Sequence, residues 1–173
     1  MSEILKKLSG GDLRSIGCAN EVAHEVEKNP ALFEELFKGL YENDPIIRMR
    51  SADVIEKASK NEPALLSGYT SKVIALMESS VQQEVCWHMA QITPRLNHTD
   101  DEEGRIIKGL KKYLLHKSKI VRVSAMESLV DFAEKNKSIL DEVLGIIKEQ
   151  IEHGSPAVKS RGRKLLQRII RNQ

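Results

Sequence analysis

The sequence predicts an all-α fold in which helical hairpins stack in a single row. One basis is an internal repeat, since "CANEVAHEVEKNPALF" at 18–33 returns as "SADVIEKASKNEPALL" at 51–66, a separation of 33 residues. A second is helical periodicity, because apolar and small residues of 44–59 fall on one stripe, namely Ile47, Ser51, Val54, Ile55 and Ala58. A third is composition, because only 4% of the residues are aromatic and the core is expected to be aliphatic.

Helix-start signals divide the chain into its elements. Asn29-Pro30, Asp44-Pro45 and Ser155-Pro156 each place a capping side chain before a proline, and Thr99 to Glu102 forms a capping-box pattern. The predicted helices lie at about 2–8, 12–27, 30–42, 45–60, 63–79, 81–96, 100–116, 119–135, 138–152 and 156–171. In alternating pairs they make about five hairpins, in one domain covering 1–173.

The second helix of several hairpins opens with a common phrase, seen in "DPIIRMRSADVI" (44–55), "SKIVRVSAMESL" (118–129) and "SPAVKSRGRKLL" (155–166). Its anchor positions, spaced by 33, 38, 36 and 37 residues, are Ser15, Arg48, Cys86, Arg122 and Lys159. The pattern resembles the HEAT repeat, whose second helix opens with D-x-D-P-x-V-R and is matched here by Glu42, Asp44, Pro45, Ile47 and Arg48. The resemblance covers nearly the whole chain and implies a right-handed, armadillo-like α-solenoid of about five HEAT-like helical hairpins.

Two other repeat families have similar lengths. A separation of 33 residues is typical of ankyrin and close to that of tetratricopeptide units. The sequence contains neither a T-P-L-H turn nor a W-x-x-L-G-x-x-Y pattern. The drift in spacing from 33 to 38 residues favours HEAT or armadillo hairpins.

The residue types that carry catalysis or metal binding are dispersed. The histidines lack the spacing of a metal site and are His24, His88, His98, His116 and His153. Cys86 and His88 point in different directions on a helix, so Cys86 is interpreted as a buried small hydrophobe. The acidic run at 100–103 is interpreted as a helix start that complements the helix dipole. We expect no enzymatic activity, no metal and no cofactor.

Arg48 and Arg122, at the anchor position, are interpreted as structural residues. In the HEAT family this arginine bonds acidic groups of neighbouring hairpins, and the resemblance implies the same here. Neither residue is predicted to bind a ligand.

At one position in the second helix of each hairpin, most residues are apolar although the side chain is expected to face solvent. The residues that follow the anchors point away from the buried stripe and are Ile16, Met49, Trp87, Val123 and Ser160. The next column is polar throughout and consists of Asn20, Asp53, Gln91, Glu127 and Lys164. An apolar track centred on the only tryptophan and flanked by Arg50, His88 and Arg161 favours a groove for a helix or extended peptide of an unidentified protein. Alternatively, Trp87 fills a gap in the third hairpin, which Pro94 makes irregular.

Charge is distributed unevenly along the chain. Residues 1–104 carry 11 Lys and Arg against 18 Asp and Glu, a net −7, whereas residues 105–173 carry 16 against 7, a net +9. The alternative function is nucleic-acid binding, as in HEAT-like alkylpurine DNA glycosylases, through Lys108, Lys111, Lys112, Lys117, Lys119, Arg161, Arg163, Lys164, Arg168 and Arg171. Against it, the acidic half would repel a duplex, Tyr113 is the only aromatic residue near the cations, and no catalytic tryptophan and aspartate set can be matched.

A third resemblance is to short HEAT-like repeats of the lyase-associated group that handles bilin chromophores. No residue of this sequence points to a pigment site.

The remaining expectations concern location and assembly. Two cysteines cannot form a disulfide framework, and no stretch resembles a leader or a membrane span, which together predict a cytoplasmic protein. The charged halves attract each other between molecules, but the basic last helix repels a second copy of itself. We therefore predict a monomer at physiological salt, with weak self-association at low salt.

Overall fold

The structure is a computed structural model that describes residues 1–172. It is 79% helical, and the described residues form no strand. Its α-helices are α1 (Glu3–Leu8), α2 (Ala19–Lys28), α3 (Phe33–Lys38), α4 (Pro45–Asn61), α5 (Thr70–Ser79), α6 (Gln83–Ile92), α7 (Asp100–Tyr113), α8 (Lys119–Lys135), α9 (Leu140–His153) and α10 (Pro156–Arg171). The all-α prediction is confirmed. None of the helices in residues 1–172 combines the length and apolar character needed to cross a membrane.

The predicted helices correspond in order to the ten observed, but several are shorter. Short 3₁₀ helices occupy parts of the predicted spans, at Pro30–Leu32, Gly39–Tyr41, Pro63–Leu66, Thr93–Arg95 and Lys137–Ile139. The largest error concerns 12–27, because α2 begins only at Ala19. Residues 9–18 form an irregular loop in which Gly10, Gly11 and Gly17 have φ of +75°, +79° and +52°, values that a right-handed helix cannot contain.

Two of the four predicted helix caps are confirmed. The Asp44 carboxylate accepts from the Ile46 N–H at 2.8 Å. Thr99 and Glu102 form a reciprocal capping box at the start of α7, which also confirms the acidic run as a helix start. The side-chain caps predicted at Asn29 and Ser155 do not form. Asn29 precedes a 3₁₀ turn instead of an α-helix, and the Ser155 hydroxyl is buried without a partner.

The even-numbered helices pack in chain order. Contacts join α2 to α4, α4 to α6, α6 to α8 and α8 to α10, and we call these five helices the even row. The odd-numbered helices lie against this row, with α3 on α4, α5 on α6, α7 on α8 and α9 on α8 and α10. One continuous aliphatic core runs between them from Ile4 to Ile169. Each helix therefore buries its apolar face mainly against helices close to it in the chain.

The anchor cations tie the hairpins together, but their partners are neutral. Arg48 donates to the Gln82 side-chain oxygen at 2.8 Å and to the Glu42 carbonyl at 2.7 Å. Arg122 donates to the side-chain oxygen of Gln150 at 2.8 Å. A structural role for these arginines agrees with the prediction, whereas the predicted acidic partners were wrong. The Glu42 carbonyl needs a donor because it follows the end of the 3₁₀ helix Gly39–Tyr41.

Candidate functional site

Arg50 on α4 holds the loop 9–18 against the even row. It is only 3% exposed. Its guanidinium donates to the backbone carbonyls of Leu8, Gly10 and Ser15 at 2.9, 2.8 and 3.0 Å. Every acceptor of this guanidinium within residues 1–172 is a backbone carbonyl, so carbonyl dipoles surround the cation. The prediction of Arg50 as an exposed polar rim was wrong, because the loop covers it.

Gly17 allows the loop to lie directly on the guanidinium of Arg50. Its φ is +52°, in the left-handed region that side chains disfavour. A Cβ added at Gly17 would lie 2.8 Å from the guanidinium carbon, so the guanidinium and its hydrogen bonds would have to shift. The Gly17 N–H also donates to the Ser15 hydroxyl at 3.1 Å. Glycine therefore meets both a conformational and a steric requirement.

The loop and the even row enclose a cleft of about 280 Å³, which we call the Trp87 cleft. Its apolar lining consists of Leu13, Ile16, Met49, Trp87 and Ile120. Leu13, Ile16 and Ile120 are 47%, 44% and 42% exposed, so solvent reaches the apolar walls. The remaining lining residues are polar and are Arg14, Ser15, Arg50, Asp53, Gln83, Glu84 and His88. The cleft is thus an open apolar cavity with charges of both signs around it.

Trp87 forms a wall of the cleft and also packs on the core. It is partly buried against the core residues. Its ring stacks on the imidazole of His88, with centroids 4.3 Å apart and planes at 19°. Trp87 therefore both lines the cleft and packs on the core.

His88 is buried beneath Trp87, so its prediction as a polar rim was also wrong. Its Nδ1 lies 3.0 Å from the side-chain oxygen of Gln91, and its Nε2 lies 3.9 Å from a carboxylate oxygen of Asp53. Burial lowers the pKa of His88, and the Asp53 carboxylate opposes this without reversing it. The imidazole is therefore neutral at pH 7 and supports the tryptophan ring.

The other predicted groove residues divide between the cleft and its surroundings. Ile16 and Met49 line the cleft, although Met49 is buried instead of solvent-facing because the loop lies over it. Val123 and Arg161 are not among the lining residues. Val123 packs against the core, and Arg161 forms an ion pair with Glu127.

Sequence reasoning missed two walls of the cleft, Leu13 and Ile120. Leu13 is an aliphatic residue within a stretch of Gly, Asp, Arg and Ser, which was the available signal. Ile120 precedes the buried Val121 at the start of α8 and had no comparable signal.

The cations of the nucleic-acid hypothesis lie on different elements. Lys108, Lys111 and Lys112 are on α7, Lys117 and Lys119 at the junction with α8, and Arg161, Arg163, Lys164, Arg168 and Arg171 on α10. α7 packs on α5 and α8, whereas α10 packs on α8 and α9. Lys111 pairs with Glu142, and Arg168 pairs with Asp131 and Glu134. Ion pairs within the chain therefore compensate part of the basic charge.

No group of three or more His, Cys, Asp or Glu side chains in the described part of the chain is arranged to hold a metal ion. Cys86 is buried, and burial raises the pKa of its thiol. The predicted burial of Cys86 is confirmed.

No protein-family model, curated protein or solved structure matches this chain.

Proposed function

We propose that the chain is a right-handed HEAT-like α-solenoid of about five hairpins and acts as a protein-interaction module without enzymatic activity. The even row supports the solenoid arrangement, since each of its helices contacts the next in chain order. The continuous core from Ile4 to Ile169 supports it further, because stacked hairpins bury their faces against their neighbours. The ligand is a peptide or helix of a partner protein, and it binds in the Trp87 cleft.

The observation that carries this proposal is the exposed apolar lining of the cleft. Leu13, Ile16 and Ile120 line the cleft together with Trp87, and they are 47%, 44% and 42% exposed. An aliphatic or aromatic side chain of the partner fits a cavity of about 280 Å³. Its burial would stabilise the complex by about 1.5–3 kcal/mol. Arg14, Asp53 and Glu84 offer hydrogen bonds and charges at the rim.

Arg50 contributes to binding without touching the partner. Its bonds to the carbonyls of Leu8, Gly10 and Ser15 fix the loop that supplies Leu13 and Ile16. Because the wall is in place before the partner arrives, little free energy is lost in ordering it. The cleft is in this sense preorganised.

Selection of a displayed random-peptide library against the full chain tests the proposal. Clones that bind wild type are assayed with Trp87→Ala and with Tyr41→Ala, a matched control at an exposed aromatic residue outside the cleft. We expect a class of peptides that Trp87→Ala weakens by about tenfold or more and Tyr41→Ala does not affect. If every selected peptide binds Trp87→Ala with wild-type affinity, the proposal is wrong.

Nucleic-acid binding through the basic half stays the alternative proposal. Arg163, Lys164 and Arg171 on α10 make no ion pair within residues 1–172 and are free to contact phosphates. Fluorescence anisotropy with a labelled DNA duplex across a salt series separates the two proposals, because phosphate contacts produce a steep salt dependence. Absence of binding at low ionic strength would remove this alternative.

A further inference from the structure

A second concave surface lies between α5 and α7, away from the Trp87 cleft. Two cavities of about 510 and 580 Å³ share Met77 and Lys112 in their linings and form one continuous depression. We call it the α5–α7 furrow. It extends from Arg105 on α7 to Leu115 just beyond the end of that helix.

The apolar part of the furrow is concentrated at one end. Val81 and Leu115 are 89% and 87% exposed, the highest values among the large hydrophobic residues described. Both line the 580 Å³ cavity, together with the buried side chains of Cys86 and Tyr113. Single exposed aliphatic residues are ordinary, but two that flank one cavity mark a place where an apolar group fits.

The charged part of the furrow is positive. Lys108, Lys112 and Lys117 line it, and none of the three forms an ion pair within residues 1–172. Glu78 is the only carboxylate in the lining, and Arg105 already pairs with it at 2.8 Å. Helical spacing places Lys108 and Lys112 on one side of α7. The furrow therefore presents uncompensated positive charge beside an apolar cavity.

We propose that the α5–α7 furrow binds an acidic peptide segment that carries an aliphatic or aromatic anchor. The anchor enters the cavity between Val81 and Leu115, and carboxylates of the segment pair with Lys108, Lys112 and Lys117. This site is separate from the Trp87 cleft and does not depend on the function proposed for it.

The shape of the furrow favours a peptide over an anionic membrane surface. The cavity is recessed, and its deepest side chains, Cys86 and Tyr113, are buried. A flat lipid surface would contact Val81 and Leu115 but leave the cavity beneath them unfilled, which forfeits packing contacts. A protruding side chain fills it.

The test begins with a displayed library of peptides of about 12 residues, from which clones that bind the full chain are selected. The affinity of each selected peptide is then compared between wild type and variants of the full chain. Leu115→Asp removes the apolar wall and adds a repulsive charge, and Lys112→Glu reverses one cation. Lys60→Glu makes the same charge change at an exposed residue of α4 outside the furrow. We expect a class of net-negative peptides that Leu115→Asp weakens at least about tenfold and Lys112→Glu about threefold. Lys60→Glu should leave their affinity unchanged, and peptides that respond only to Trp87→Ala belong to the other cleft.

Three outcomes overturn the proposal. Replicate selections could yield no class enriched in Asp and Glu, or the acidic peptides could bind Leu115→Asp as tightly as wild type. The chain could also sediment with phosphatidylserine-containing vesicles in a manner that Leu115→Asp abolishes, which would assign the furrow to a membrane. Val81→Asp provides an independent second variant, and its high exposure keeps the fold intact, as a thermal unfolding midpoint would verify.

Discussion

The two ends of the even row use arginine in opposite ways. Near α4, Arg50 is buried and donates to the carbonyls of an irregular loop, and an open apolar cleft lies beside it. Near α10, Arg161 and Arg168 are partly exposed and pair with carboxylates on α8. The buried arrangement shapes a site, because within residues 1–172 no other group donates to the carbonyls of Leu8, Gly10 and Ser15, and these bonds hold the loop in one place. The exposed arrangement joins two helices and contributes little free energy.

Replacement of Arg50 gives the largest expected effect and tests this contrast first. Arg50→Ala leaves the carbonyls of Leu8, Gly10 and Ser15 without their donor. We expect the free energy of unfolding to fall by roughly 3 kcal/mol or more, measured by urea denaturation. Arg168→Ala, the matched change at the exposed end, should cost less than about 1 kcal/mol. Equal losses of unfolding free energy in the two variants would show that the buried and the exposed arginine contribute alike to stability.

Replacement of Gly17 by alanine should lower the free energy of unfolding more than the same replacement at Gly10, a glycine of similar conformation in the same loop. Gly17→Ala forces a Cβ against the guanidinium of Arg50, and we expect a loss of at least about 2 kcal/mol. Gly10→Ala, at φ +75° and with no atom within 4 Å of the place its Cβ would take, should lose only about 1 kcal/mol, the conformational cost alone. Urea denaturation of both variants measures the difference. Similar losses would show that the loop does not depend on contact with Arg50.

A smaller effect is expected from the pH dependence of His88. Burial lowers its pKa below the ordinary value of 6.5, and Asp53 and Glu56 oppose this shift while Lys57 adds to it. The unfolded chain therefore binds a proton more readily, so the stability that His88 contributes is full above about pH 6.5 and is lost as pH falls below it. Urea denaturation at about pH 7.5 and about pH 5 should show a flatter dependence for His88→Gln than for wild type. Identical slopes would mean that His88 is not held neutral by the fold.

The smallest expected effect concerns self-association. The net charges of −7 and +9 in the two halves attract between molecules, but only over the Debye length. We expect a monomer by light scattering at about 0.15 M salt and weak association at about 0.01 M. A stable dimer at both salt concentrations would show instead that an apolar surface, such as the Trp87 cleft, joins the copies.

Local signals in the sequence were sufficient for most of the helices. Periodicity and caps depend on residues a few positions apart, which is why α8 and α10 and the capping box at Thr99 were predicted at their observed places. The loop 9–18 was not predicted, because its conformation depends on Arg50, which lies 40 residues beyond Gly10 in the chain. Helix propensity within residues 12–18 could not reveal that the loop is held by a side chain as distant in sequence as Arg50.

The cleft was predicted only in part for the same reason. The column rule brought Met49 and Trp87 together because they lie on α4 and α6, which pack on each other. Ile16 also lines the cleft, but it lies in the loop 9–18 and not in the helix that the rule assumed. Arg50 and His88 also line the cleft, but their predicted exposure was wrong, because a loop and a neighbouring ring bury them. Leu13 was missed because the rule takes only the residue that follows each anchor position, and Leu13 precedes the anchor Ser15.

Whether a peptide binds against Trp87 can be tested with the protein's own fluorescence. Trp87 is the only tryptophan of the chain, so the emission of the unmodified protein reports on this one wall. A peptide selected against the full chain is titrated into the protein. Its binding is followed separately by the fluorescence anisotropy of a label on the peptide. We expect the Trp87 emission to shift to shorter wavelength and to become protected from acrylamide quenching in proportion to the bound fraction. Saturation of the anisotropy with unchanged Trp87 emission and unchanged quenching, for every selected peptide, would show that peptides do not bind at Trp87.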